Sequence, residues 1–155
     1  MYAHAVRATL SHVRQLKRRG LPFVPYRGSD RVIVGRTAAK DAWPWTLQLL
    51  KRHRHICGAT LIDESFALTA AHCVARDPRP SSYHVIAGSA NLLSGERLPI
   101  KRVFVHPLFD KVFPRSYDIA LLQLRHKLTF DEDRKVNAAC LPTFLAPRGK
   151  RCVVT

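Results

Sequence analysis

The sequence predicts an all-β fold, an antiparallel barrel or sandwich, on three observations. Short runs rich in Val, Ile, Phe, Tyr and Leu recur from Trp43 onward, turn-forming residues separate them, and no apolar stripe of helical period is sustained there. The expected strands, in order, are Trp43 to Leu49, Cys57 to Ile62, Phe66 to Thr69, Tyr83 to Ala87, Arg102 to Val105 and Ile119 to Leu124. Asp77-Pro78-Arg79-Pro80, Ser94-Gly95, His106-Pro107 and Asn137 punctuate them. Strands of this kind, without helical crossovers between them, argue against a parallel α/β sheet.

Length and charge narrow the function classes. At 155 residues the chain has room for one domain, or one domain and a tail, and 46% hydrophobic against 24% charged residues is a globular composition. Lys plus Arg number 26 against 11 Asp plus Glu, a formal +15. The excess is uneven. Residues 1–29 hold Arg7, Arg14, Lys17, Arg18, Arg19 and Arg27 and no acidic residue at all. From Val32 on, the balance is ordinary for a soluble surface with a few basic clusters.

No apolar run approaches the roughly 18 residues of a membrane helix. Arg7 and Arg14 interrupt any signal-peptide core, so none is visible. Val6, Leu10, Val13 and Leu16 recur at helical spacing within the basic stretch, the pattern of a mitochondrial presequence or a membrane-surface helix, but Gly20-Leu21-Pro22 and Pro25 cut it short. Residues 1–31 are therefore expected to be a poorly ordered tail or pro-segment.

Cys57, Cys73, Cys140 and Cys152 allow three pairings. Two chemistries compete around the first of them. His53, His55 and Cys57 alternate, so on a strand they share a face, and His72-Cys73 would complete a zinc site. Against this, the spacing matches no compact pattern of paired ligands, and neighbours such as His72 and Cys73 point to opposite faces of an extended chain. The alternative is a Cys57 to Cys73 disulfide, whose loop of about 17 residues corresponds to roughly 3 kcal/mol in the chain-entropy model.

Cys57-Gly58-Ala59-Thr60-Leu61-Ile62 followed by Phe66-Ala67-Leu68-Thr69-Ala70-Ala71-His72-Cys73 resembles the segment around the catalytic histidine of the trypsin/chymotrypsin family of serine proteases. Arg31-Val32-Ile33-Val34-Gly35 is similar to that family's activation site, and Trp43-Pro44-Trp45 to a landmark after it. Tyr117-Asp118-Ile119-Ala120-Leu121-Leu122 resembles the catalytic-aspartate motif, while Cys140-Leu141-Pro142 and Cys152-Val153-Val154-Thr155 are similar to later landmarks. Together these cover residues 31–155, in family order.

The resemblance implies the first antiparallel β barrel of a trypsin-like fold, with residues 1–31 as pro-segment and 32–155 as a truncated peptidase domain. It implies His72 as general base and then acid, and Asp118 as the carboxylate that fixes its tautomer. It also implies cleavage after Arg31, Val32 as the new amino terminus, a Cys57–Cys73 staple beside the base, protein or peptide substrates, and secretion. An acid beside the apolar run Ile119 to Leu122 also needs a partner on physical grounds, since an unpaired buried carboxylate costs several kcal/mol.

Departures from the family pattern are equally specific. No Gly-Asp-Ser-Gly-Gly occurs in the 155 residues; Ser89 and Ser116 lack that context and read as loop residues. The oxyanion hole and specificity pocket are expected to be missing with it, so the chain alone is expected to be inactive. In the loop from Gly88 to Glu96, Ser89 stands where calcium-binding members place an acid, so calcium is not expected, nor any other cofactor. Cys140 and Cys152 are expected to be free or paired with each other.

The cluster Lys51-Arg52-His53-Arg54-His55 suggests either a solvated loop or an exosite for an acidic partner or polyanion, centred on Lys51, Arg52 and Arg54. Nucleic acid is not expected, because the few aromatics do not interleave with the basic residues. Two other functions remain beside the peptidase reading: a non-catalytic binding or inhibitory module on half of the protease fold, and a zinc domain.

Overall fold

The computed structural model describes residues 42–89, 91–130, 136–143 and 149. Residues 1–41, with the Arg31–Val32 cleavage point, and Cys152 lie outside them. Six strands make up the fold: β1 (Thr46–Lys51), β2 (Arg54–Asp63), β3 (Phe66–Thr69), β4 (Tyr83–Ala87), β5 (Glu96–Val105) and β6 (Ala120–Leu124). All pairs are antiparallel, and the order β1-β2-β3-β6-β5-β4 closes as β4 returns to β1. Closure removes the free edge that an open sheet would present.

Alternation drives the fold. Leu47 and Leu49 of β1, Leu61 of β2, Val85 of β4, Leu98 and Ile100 of β5 and Leu122 of β6 point inward and share one core. Each is at most 4% exposed. At about 1.5–3 kcal/mol per buried aliphatic side chain, this interior is the main stabilising term, and a one-residue slip in any strand would turn its apolar set outward.

The strand bounds differ from the sequence expectation most at β1 and β5, and β2 also begins early, at Arg54 instead of Cys57. Trp43-Pro44-Trp45 is a turn, closed by Thr46 N–H donating to the Trp43 carbonyl at 3.0 Å, so β1 starts later than expected. β5 starts at Glu96, ahead of Arg102. Pro99 disguises this start, because a proline reads as a break; yet Leu98 pairs with Val85, and the Pro99 carbonyl accepts from Arg125 N–H at 2.9 Å.

Three local devices set the surface. Arg52 and His53, at φ 46° and 69°, form the two-residue left-handed turn between β1 and β2. Gly95, at φ 116°, lies so close to β4 that a Cβ there would run into the Ala87 carbonyl. Buried Gln48 clips the following loop: Nε2 donates to the Asn91 carbonyl at 2.9 Å, and Oε1 accepts from Leu93 N–H at 2.7 Å. Among the described residues no helix is long and apolar enough to cross a membrane.

Candidate active site

β3 and β6 bring the site together. Thr69 pairs with Ala120, so the chain leaving β3 and the chain entering β6 lie at the same end of the barrel. Directly after β3, residues Ala71–Cys73 make a single 3-10 turn, and Asp118 lies two residues ahead of β6. Two residues 46 positions apart thereby meet.

Asp118 grips His72 through both carboxylate oxygens. Oδ1 accepts from the His72 backbone N–H at 2.8 Å, and Oδ2 lies 2.7 Å from the ring Nδ1. An ionised carboxylate only accepts, so Nδ1 carries a proton, and in the neutral ring it is then Nε2 that has the lone pair. Nε2 faces Cys73 Sγ at 3.5 Å, but that sulfur has no proton to donate, because it is bonded to Cys57. The ring is half exposed. A fixed neutral imidazole with an available lone pair is a proton acceptor.

Electrostatics favour the ionised acid. Burial opposes the charge of Asp118 and is the largest single influence on it. Hydrogen bonds from the His72 ring and backbone, with a further contribution from the Ala71 backbone, outweigh burial and hold the carboxyl below its usual range.

The disulfide joins the His72 turn to β2, where Cys57 sits opposite Leu49. Cys57, His72 and Cys73 do gather within 4.8 Å, as a zinc site would need, and the 3-10 turn, unlike extended chain, lets the neighbours His72 and Cys73 face one another. Two of the three ligand atoms are nevertheless spent in the S–S bond, and a cysteine sulfur binds zinc only as a thiolate. His53 lies in the turn, and a bulge between Leu49 and Leu50 leaves Ile56 unpaired, so the expected alternation of His53, His55 and Cys57 on one face does not form.

Beside Asp118 is an open depression of about 360 Å³, lined by Thr46, Gly58, Thr60, Thr69, Ala70 and Ile119. Phe104 and Ile119 are 45% and 44% exposed nearby, on paired strands or their flanks. The segment from Leu108 to Ser116 approaches the same end and is organised by Ser116, a residue the sequence left as an ordinary loop serine. Its buried Oγ accepts from Val112 and Phe113 N–H and donates to the Leu108 carbonyl, each at 3.3 Å.

The match to the Trypsin family model runs over residues 32–155. The chain belongs to the trypsin family of serine proteases. It is 33% identical over 136 residues to the rat protein "Transmembrane protease serine 9", covering 84% of this chain and 12% of that one. It is 35% identical over 117 residues to mouse "Ovochymase-2", covering 73% of this chain and 19% of the relative. The chain thus spans less than a fifth of the length of either relative. Within the trypsin family framework, a single closed barrel accounts for the described strands.

The basic cluster is rearranged relative to its reading from sequence. Lys51 is not a free exosite cation: its Nζ pairs with Asp77 at 3.1 Å and lies 5.6 Å from the centre of the buried Tyr83 ring. Arg79 grips the same carboxylate at 2.7 Å, and together with Lys51 and Ser82 it holds Asp77 well below the usual carboxylate range, against the opposing effect of burial. Arg54 pairs with Lys51 in register, on the opposite side of the sheet from Leu50 and His55. Gln48, His84 and Arg97 escaped the sequence reading altogether, since nothing local marks them.

Proposed function

We propose that this chain supplies the histidine and aspartate of a serine-type endopeptidase. His72 Nε2 takes the proton of an attacking serine hydroxyl and later returns it to the departing amine. Asp118 keeps the ring in the Nδ1–H tautomer and stabilises the imidazolium formed on the way. The observation that carries this reading is the double grip of Asp118 on His72, at 2.7 and 2.8 Å. No Gly-Asp-Ser-Gly-Gly occurs in the 155 residues, so the nucleophile and oxyanion hole of this reading come from polypeptide outside them. Cleavage after Arg31 frees Val32, and an extracellular location accords with the disulfide.

The test uses a fluorophosphonate probe, which labels only an activated serine. The 155-residue chain is expected to remain unlabelled. Joined to the Gly-Asp-Ser-Gly-Gly-bearing second half of a relative, it is expected to label stoichiometrically, and His72→Ala to abolish the labelling. Labelling that survives His72→Ala, or labelling of the 155-residue chain itself, overturns the assignment. A soluble, cooperatively folded monomer that stays unlabelled in both forms favours the binding-module reading instead.

A further inference from the structure

Away from the His72 site, the outer face of β1, β4 and β5 carries a group of basic side chains. His84 pairs with Leu50 on one side and Pro99 on the other, and Arg97 pairs with Ile86, so His84 and Arg97 share the outer face. His55 also pairs with Leu50 and belongs to the same row. His53 folds over from the β1–β2 turn, its ring stacked on His84 with centroids 6.2 Å apart, and the Arg97 guanidinium lies 2.6 Å from His53 Nδ1.

The chemistry of that short contact is constrained. A guanidinium can only donate, so His53 Nδ1 must be the acceptor, and the ring is neutral with its proton on Nε2. Protonating His53 at Nδ1 removes the hydrogen bond and sets an imidazolium against a guanidinium. No carboxylate answers this charge among the described residues of the face. Gln48 and Leu50 of β1 are uncharged, residues 88–95 contain no charged side chain, and Glu96 pairs with Ala87 on the core-facing side of the sheet. The remaining titratable or charged neighbours, His55 of β2 and Arg52 of the turn, are basic and supply no negative charge. Burial first, then Arg97 and His53, hold His84 below its ordinary value, which accords with a site lacking a counter-charge.

We propose that His53, His84 and Arg97, flanked by His55 and Arg52, form an acid-strengthened binding site for a sulfated polysaccharide. A sulfate placed between Arg97 and the two imidazoles supplies the missing counter-charge, so anion and protons bind together and affinity rises as pH falls through the histidine range. The row runs across strands spaced about 4.8 Å apart, a track suited to a linear polyanion that is held by charge alone. Among the strand residues of this face, Gln48, Leu50, His84, Ile86, Arg97 and Pro99, none is the Phe, Tyr or Trp that serves as the usual nucleobase-stacking platform.

Heparin binding by the 155-residue chain, measured by calorimetry at pH 7.5 and 5.5 and constant ionic strength, tests this. Affinity is expected to rise about tenfold on acidification. The His53→Gln/His84→Gln pair is expected to remove most of that rise, whereas His106→Gln/His126→Gln leaves it in place. Arg97→Gln is expected to weaken binding at both pH values, Arg97→Lys to restore part of it, and Lys111→Gln to do neither. The site is refuted if the two histidine pairs behave alike or if Arg97→Gln and Lys111→Gln are equivalent. Equal, equally pH-dependent binding of a single-stranded oligonucleotide or of polyglutamate refutes the choice of ligand. Cooperative thermal unfolding of each variant well above the titration temperature, at both pH values, keeps loss of fold out of the comparison.

Discussion

Asp118 reaches His72 with both of its oxygens, one on the backbone and one on the ring, so the same carboxylate sets the position of the turn and the tautomer of the imidazole. An amide at this position retains the shape but offers an N–H₂ group to the ring. Asp118→Asn is therefore expected to shift the proton of His72 from Nδ1 to Nε2, read directly from the ring nitrogen shifts in long-range ¹H–¹⁵N spectra. The accompanying loss of a charge-assisted pair should lower stability by roughly 1–2 kcal/mol. Unaltered nitrogen shifts would contradict the orienting role.

The Cys57–Cys73 bond ties the His72 turn to β2 across a sequence separation of 16. Cys57→Ala/Cys73→Ala is expected to cost about 3 kcal/mol in urea unfolding. Because the turn is also held by Asp118, the His72 ring shifts should keep the Nδ1–H pattern in the folded fraction. Loss of that pattern would assign the disulfide a positioning role that the carboxylate does not cover.

Gln48 is the side chain on which the loop after β4 depends. Replacing it with Leu retains bulk but leaves the Leu93 N–H and the Asn91 carbonyl without their partner. Stability should fall by about 1–3 kcal/mol, and limited proteolysis should cut first within residues 88–95. Proteolysis that begins in the Leu108–Ser116 segment in both wild type and variant would argue against the clip.

Asp77 and His84, in addition to Asp118 of the site, give the stability profile its pH dependence. Asp77 is held below the usual carboxylate range by Arg79 and Lys51, so its contribution is present above about pH 4 and is lost as the pH falls through its folded value. His84 has the opposite chemistry and the same sign. Its folded value is lowered, chiefly by burial, so the unfolded chain takes up the proton first, and stability falls as pH drops below about 6.5. Melting temperature should decline in two stages on acidification. His84→Gln should flatten the upper stage and Asp77→Asn the lower one; a single transition unaffected by either variant contradicts both.

Much of the barrel was legible in the chain because strand alternation is a local property. Phe66 to Thr69 and Tyr83 to Ala87 are strands in both readings, and their inward residues follow from the pattern of side chains. Trp43 and Pro99 misled for local reasons too: a β-favouring aromatic sat in a turn, and a proline sat inside β5, where the carbonyl-side bond from Arg125 does not need the missing N–H. The motif around His72 marked one end of the site and that around Asp118 the other.

What the sequence determined by itself was the all-β class, the family, and the two residues worth examining, since each rests on residue types at fixed short spacing. Tertiary structure decided which side chains meet. The register of β3 against β6 puts Asp118 on His72, the S–S bond takes Cys57 and Cys73 out of metal chemistry, and Asp77 takes Lys51 away from the exposed basic cluster. His53, His84 and Arg97 come together on one face although they span three elements of the chain. Pairing register is a long-range quantity, fixed only when the whole barrel closes over its core, and for that reason no local pattern could announce it.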